Sequence, residues 1–147
     1  MSAQGTPAEG ADPVLTLLRQ LFEVSATLNA DVRDVLAKFD LSGTDSGLLW
    51  LLDPDRPALR MREIARSLGC DPSNVTLIGD KLQRAGLVTR QAHPQDRRSR
   101  VLALTDTGSQ LRTRLLARLV AATPLSTLTA REQQHLGHLL AKLASRA

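Results

Sequence analysis

At 147 residues and 42% hydrophobic content, the chain is long enough for one folded domain and too short for two ordinary ones. A formal net charge of +4 suits a polyanionic partner, although a membrane surface or an acidic protein would satisfy the same number. There is no run of 18 or more apolar residues, no basic start with an apolar centre in residues 1–12, and only one cysteine, Cys70; neither a spanning helix, a secretory signal nor an internal disulfide is expected, and the expected location is the cytoplasm.

Met1 to Ala11 is rich in Ala, Gly and Pro without periodicity and reads as a disordered tail, leaving residues 12–147 as a single domain. Asp12 and Pro13 look like a helix start. The helix is predicted to run to about Phe39, because Val14, Leu17, Leu18, Leu21, Leu28, Val32, Val35 and Leu36 keep helical spacing with no internal Gly or Pro. At roughly 27 residues and about 40 Å it outruns the core of one small unit, so part of its apolar face needs another partner.

Ser42 and Asp45 are spaced as a capping box before the apolar run Leu48 to Leu52, which is expected to be buried with Trp50 in the core. Asp53-Pro-Asp-Arg-Pro57 breaks that helix, and Ala58 to Arg60 is a candidate third strand beside the hairpin described below. The following helix has Arg60 and Met61 at its start and no hydroxyl cap, so it is expected to begin frayed or capped by water.

From Met61 the pattern is two short helices joined by a tight turn. Ile64, Ala65 and Leu68 share one face of the first; Gly69 ends it, because glycine takes the left-handed conformation without steric cost. Asp71 and Pro72 open the second, with the Asp71 carboxylate expected to accept from free backbone N–H groups. Val75, Ile78 and Leu82 then form its buried side, and Ser73, Asn74, Thr76, Leu77, Asp80 and Lys81 its outer side. Short hydrogen-bonding side chains at the N-terminus of such a helix are what meets base edges in a major groove, whereas the plainer reading is a solvated polar face.

After Gly86, Leu87–Gln91 and Arg100–Leu104 read as two strands around the polar loop Ala92–Ser99, making a hairpin with a charged tip. It carries Arg90, Arg97, Arg98 and Arg100 against the single carboxylate Asp96. Such like-charge crowding does nothing for folding, but a phosphate backbone or a narrow minor groove rewards it.

Thr105 and Asp106 begin a helix with Leu111, Leu115, Leu116, Leu119 and Val120 in one stripe, and Thr129 and Glu132 form a capping box for a last helix with Leu136, Leu139, Leu140 and Leu143. With the first helix these offer more apolar face than the central unit needs. An isologous homodimer is the economical explanation, a self-contained monomeric bundle the alternative.

The order Ile64-Ala65, Leu68-Gly69, Asp71-Pro72-Ser73, Val75-Thr76, Leu82, Gly86-Leu87-Val88, Asp96-Arg97-Arg98-Ser99 and Leu104-Thr105 resembles the MarR family of bacterial transcriptional regulators over nearly the whole chain. Its most specific element is the run Asp96 to Thr105, an Asp-x-Arg followed by Val-x-x-Leu-Thr. The resemblance implies a mainly α fold with a small antiparallel β wing: a winged helix-turn-helix over residues 41–105 between dimerisation helices at 12–40 and 106–147. It implies a homodimer that binds a pseudo-palindromic operator in double-stranded DNA as a repressor released by a small-molecule effector, with the effector site in the crevice between the winged unit and the dimerisation helices. Ser73, Asn74, Thr76, Leu77 and Lys81 would then meet bases and nearby phosphates, and Arg97, Arg98 and Arg100 would work from the wing, with Asp96 orienting Arg98 through a charge-assisted hydrogen bond. Two residues depart from the family pattern. Leu77 stands where an arginine is common and cannot take a bidentate guanine contact, although it could pack on a thymine methyl; Gly79 replaces a β-branched residue and costs the helix about 1 kcal/mol relative to alanine.

Other chemistries fare worse. His135 and His138 have a metal-ligand spacing without a completing ligand, His93 reads as a turn residue, and no phosphate loop, nucleophile set or carboxylate pair is recognisable, so neither an enzyme, a metal site nor a cofactor is expected. Cys70 lies just before a helix N-terminus, which favours a thiolate, and supports an alternative reading as a redox-sensing regulator. A winged-helix module that binds protein and no longer reads DNA is the alternative from another class.

Overall fold

The computed structural model describes residues 12–145, so the expected N-terminal tail lies outside the described residues. In chain order the elements are α1 (Pro13–Ala37), α2 (Gly43–Leu51), α3 (Met61–Leu68), α4 (Pro72–Arg84), β1 (Val88–His93), β2 (Asp96–Leu104), α5 (Asp106–Ala122), a short 3-10 turn (Pro124–Thr127) and α6 (Ala130–Ala144). None of the described helices is long and apolar enough to cross a membrane.

α1 starts where its cap pair places it, with the Asp12 carboxylate accepting the Val14 N–H at 2.9 Å. It ends at Ala37, two residues short of expectation, because Asp40 adopts a left-handed conformation (φ 54°) and the Leu41 N–H turns back to the Leu36 carbonyl. Only the C-terminal end of α1 reaches the core, through Val35 and Leu36; Leu17, Leu18, Leu21 and Phe22 stay exposed.

α2 carries the expected capping box, with Asp45 N–H donating to Ser42 Oγ at 3.1 Å and Ser42 N–H to Asp45 Oδ2 at 2.8 Å. Leu48 and Leu49 are fully buried, but Trp50 is 58% exposed, which overturns its expected place in the core. The short helix turns one side, Asp45, Leu48, Leu49 and Leu52, toward the protein, and Trp50 lies opposite Leu48.

Residues 58–60 form no third strand; Arg60 makes only an isolated bridge to Val101. Nor does α3 begin frayed: the Glu63 carboxylate accepts the Arg60 N–H at 2.6 Å, half of a capping box that the missing hydroxyl had concealed. Gly69, at φ 63°, ends α3 as expected. At α4 the Asp71 side chain makes no cap bond, and the Asp71 main-chain carbonyl accepts from Asn74 and Val75 instead. Val75 and Leu82 are buried against α2 and α3 through Leu48, Leu49 and Ile64, all in one cluster.

The hairpin is longer than its sequence pattern suggests, because β1 continues through Ala92 and His93 and β2 begins at Asp96. Its register runs from Val88 opposite Leu104 to Ala92 opposite Arg100, then shifts so that His93 faces Asp96 across the tip Pro94-Gln95. Gly79 sits where α4 crosses this sheet: a Cβ there would come within 3.1 Å of Leu102 Cδ1, so the lost helix propensity is exchanged for close approach. Thr105 joins the hairpin to α5, donating through Oγ1 to the Gly86 carbonyl at 2.6 Å and accepting the Gly108 N–H at 3.0 Å. α5 continues into the core at Leu115, whereas α6 has no buried residue.

Candidate nucleic-acid interface

α3, the Gly69 turn and α4 place Ser73, Asn74, Thr76 and Leu77 together on the outside of α4, and all four are exposed. They span an arc of about 160° on a helix of 3.6 residues per turn. Thr76 Oγ1 donates back to the Pro72 carbonyl at 3.1 Å, so its hydroxyl is already engaged.

Lys81, expected beside them, is tied elsewhere: its Nζ lies 2.5 Å from Oδ2 of Asp45 on α2. Asp45 is only 1% exposed and is the buried charged residue among those described. Burial works against its charge, but the Lys81 ammonium and then the Ser42 N–H donate to it, and together they hold its carboxyl below its ordinary value. Asp80, next along the helix, pairs with Arg90 of β1 at 2.5 Å, and Arg90 also donates to Gln83 Oε1 at 3.3 Å. The two central charges of α4 therefore fasten it to α2 on one side and to the hairpin base on the other.

That leaves the hairpin arginines unequal. Arg90 is paired, whereas Arg97, Arg98 and Arg100 are exposed and have no ion pair among the described residues. Asp96 does not hold the Arg98 guanidinium as expected; its Oδ1 accepts the Arg98 main-chain N–H at 3.1 Å, its Oδ2 accepts the Ser99 hydroxyl at 2.6 Å, and Arg60 approaches it at 3.8 Å. The Ser99 hydroxyl and the Arg98 N–H hold the Asp96 carboxyl below its ordinary value. Asp96 thus shapes the turn that presents the arginines and leaves the guanidinium of Arg98 free. His93 likewise serves the turn, its Nδ1 accepting the Gln95 N–H at 3.1 Å.

Two cations escaped the sequence reading. Arg62 and Arg66 are exposed on α3, four residues apart, with no ion pair among the described residues. Like charges at that spacing disfavour a helix, and that was the available signal. Cys70 is half-buried and packs against the core. His135 and His138 are exposed on α6, and no group of three candidate metal ligands occurs among the described residues. A cleft of about 370 Å³ separates the end of α2 from β2 and the start of α5, lined by Leu52, Leu59, Leu102 and Leu104 with Asp53, Asp106 and Ser109 at its rim.

A short helix, a left-handed turn, an outward-facing second helix and a basic hairpin together define a winged helix-turn-helix. The profile of the MarR family matches residues 44–99. Over 92 residues, 61% of this chain and 59% of the other, the sequence is 38% identical to the HTH-type transcriptional repressor MdtR of Bacillus subtilis. The chain spans less than two thirds of the length of the curated relatives it matches. Among solved structures, the Mycobacterium tuberculosis MarR family protein Rv2887 in complex with p-aminosalicylic acid is 31% identical, with 87% of this chain and 98% of that one covered and a TM-score of 0.65. CouR from Rhodococcus jostii RHA1, bound to p-coumaroyl-CoA, is 26% identical over 91% of this chain and 93% of that one, with a TM-score of 0.73. The chain belongs to the MarR family.

Proposed function

We propose that the protein is a transcriptional regulator that binds double-stranded DNA, acting as a homodimer on a pseudo-palindromic operator and repressing until a small molecule releases it. The observation that carries this reading is the juxtaposition of a neutral α4 face, Ser73, Asn74, Thr76 and Leu77, with Arg97, Arg98 and Arg100, which have no ion pair among the described residues. The first set suits base edges in a major groove; the second suits phosphates or a minor groove. Arg62 and Arg66 add phosphate contacts where the first helix of the motif crosses the backbone. Lys81 acts mainly by positioning α4, given its bond to Asp45. Rv2887 has been solved in complex with DNA, at 29% identity and a TM-score of 0.67, which supports the same use of the fold here.

Effector release is supported by the small molecules bound to Rv2887 and CouR, and the cleft at the α2–β2–α5 junction is the place assigned to one here. The exposed apolar stripes of α1 and α6 support dimerisation. The role is regulatory and not enzymatic, and it is exercised in the cytoplasm, where the chromosome is. Fluorescence anisotropy against the DNA upstream of its own gene tests the reading. A specific complex that outcompetes scrambled duplex is expected; equal affinity for both sequences would favour a protein-binding module instead.

A further inference from the structure

Resting on the proposed DNA reading, we infer that Leu77 is a specificity residue that reads thymine through its 5-methyl group. Among the described residues of 61–105, Leu77 is the only large apolar side chain that is strongly exposed, at 65%; the others so exposed lie on α1, α2, α5, α6 and the short turn after α5. A single exposed leucine means little by itself. Its position and its neighbours give this one meaning. At about 100° per residue it projects between Ser73 and Asn74, in the middle of the outward arc of α4. Three polar side chains near it are engaged elsewhere: Lys81 is bonded to Asp45, Asp80 to Arg90, and the Thr76 hydroxyl to the Pro72 carbonyl. The Thr76 methyl is then the free end of an exposed side chain next to Leu77.

The centre of the outward face is thus uncharged, with Leu77 flanked by the Ser73 hydroxyl and the Asn74 amide. In a major groove the only apolar feature of a base edge is the thymine methyl, and the amide of an asparagine matches adenine. Phosphates would reward the Lys81 charge that Asp45 withholds, so that pairing favours base reading over backbone attraction at this surface.

The test replaces thymine with uracil, which removes the methyl and keeps every hydrogen-bonding group. An operator is obtained by selection from a randomised duplex pool, each thymine is changed to deoxyuridine in turn, and the affinities of the wild type, Leu77→Ala and Leu77→Met are measured at one salt concentration. At one or two positions per half-site the wild type should lose about fourfold, the value of one buried methyl group. Leu77→Ala should bind the thymine duplex more weakly and lose nothing further on uracil, while Leu77→Met keeps part of the sensitivity. Indifference of the wild type to uracil everywhere, or an equal loss in Leu77→Ala, overturns the assignment and leaves DNA reading standing. A wild type that selects no sequence overturns both.

Discussion

Oδ2 of Asp45 accepts hydrogen bonds from both the Ser42 N–H, at 2.8 Å, and Lys81 Nζ, at 2.5 Å, so one oxygen caps α2 and fastens α4 to it. The carboxylate is buried but Lys81 is half exposed, so water can take the place of the ammonium when the lysine is removed, whereas removing the acid takes away the cap as well as the pair. Asp45→Ala loses cap and pair together and should cost about 2 kcal/mol; Lys81→Ala should cost about 1 kcal/mol, since the exposed partner is well screened. The folded-state pKa of Asp45 lies below its ordinary value of 3.8, so its contribution is complete above that value and fades as pH falls through it toward the folded-state pKa. Urea melts of the wild type and Asp45→Asn should therefore differ most near neutrality and converge in acid. A gap that is unchanged in acid would show that the charge contributes nothing.

Gly108 gives a steric prediction. A Cβ at that position would overlap the carbonyl oxygen of Leu87, the same oxygen that accepts the Thr105 N–H. Neither backbone can yield without breaking the junction between hairpin and α5. Gly108→Ala should cost at least about 3 kcal/mol despite its better helix propensity, read as a fall in denaturation midpoint. Gly79→Ala should be far milder, because its neighbour is the flexible end of Leu102 at 3.1 Å.

Both the Asp45–Lys81 bond and the Gly108 approach lie beyond what the sequence makes readable. Helical spacing, the Ser42 and Thr129 capping boxes and the Gly69 stop placed the helices because each is a local signal spanning three or four residues. The Asp45–Lys81 bond joins positions 36 residues apart, so Lys81 looked like one more free cation. Trp50 misled for another reason: an apolar run reads as buried all round, but composition does not say whether the second side meets this chain or another. The ends of the hairpin read as strands from their side-chain pattern, whereas backbone pairing at its polar tip has no side-chain pattern to announce it. At the candidate interface the exposed set on α4 was legible from periodicity alone, and the division of the arginines into paired and unpaired was not.

That division predicts that the hairpin arginines fail differently. Arg98→Ala and Arg97→Ala should weaken binding to all sequences and lower the slope of log affinity against log salt by about 0.9 for each phosphate that is no longer neutralised. Arg90→Ala should leave that slope unchanged, because its guanidinium is bonded to Asp80, and should instead loosen the hairpin base and reduce selectivity. Asn74→Ala should cost about 1–3 kcal/mol on the operator and little on random duplex. Affinities for operator and scrambled DNA at several salt concentrations separate the three behaviours. An unaltered slope in Arg98→Ala would remove the wing from the backbone.

The last prediction concerns α6, which has no buried residue although Leu139, Leu140 and Leu143 repeat along it. A helix that contributes nothing to its own core is held by something else, and the N-terminal part of α1, with Leu17, Leu18, Leu21 and Phe22 exposed, has the same need. We propose that a second copy covers both, which would remove the apolar surface that a soluble chain tolerates poorly and is expected to set two copies of α4 about one helical turn of DNA apart. Deleting the chain from Thr129 onward should leave the winged unit folded, because its core lies in α1–α5 and the hairpin. The truncated protein should be monomeric or aggregated by light scattering and should bind a single half-site as it binds the full operator, since the gain from joining two sites is gone. A truncated chain that remains dimeric, or is monomeric and still prefers the full operator, would place the dimer contacts elsewhere.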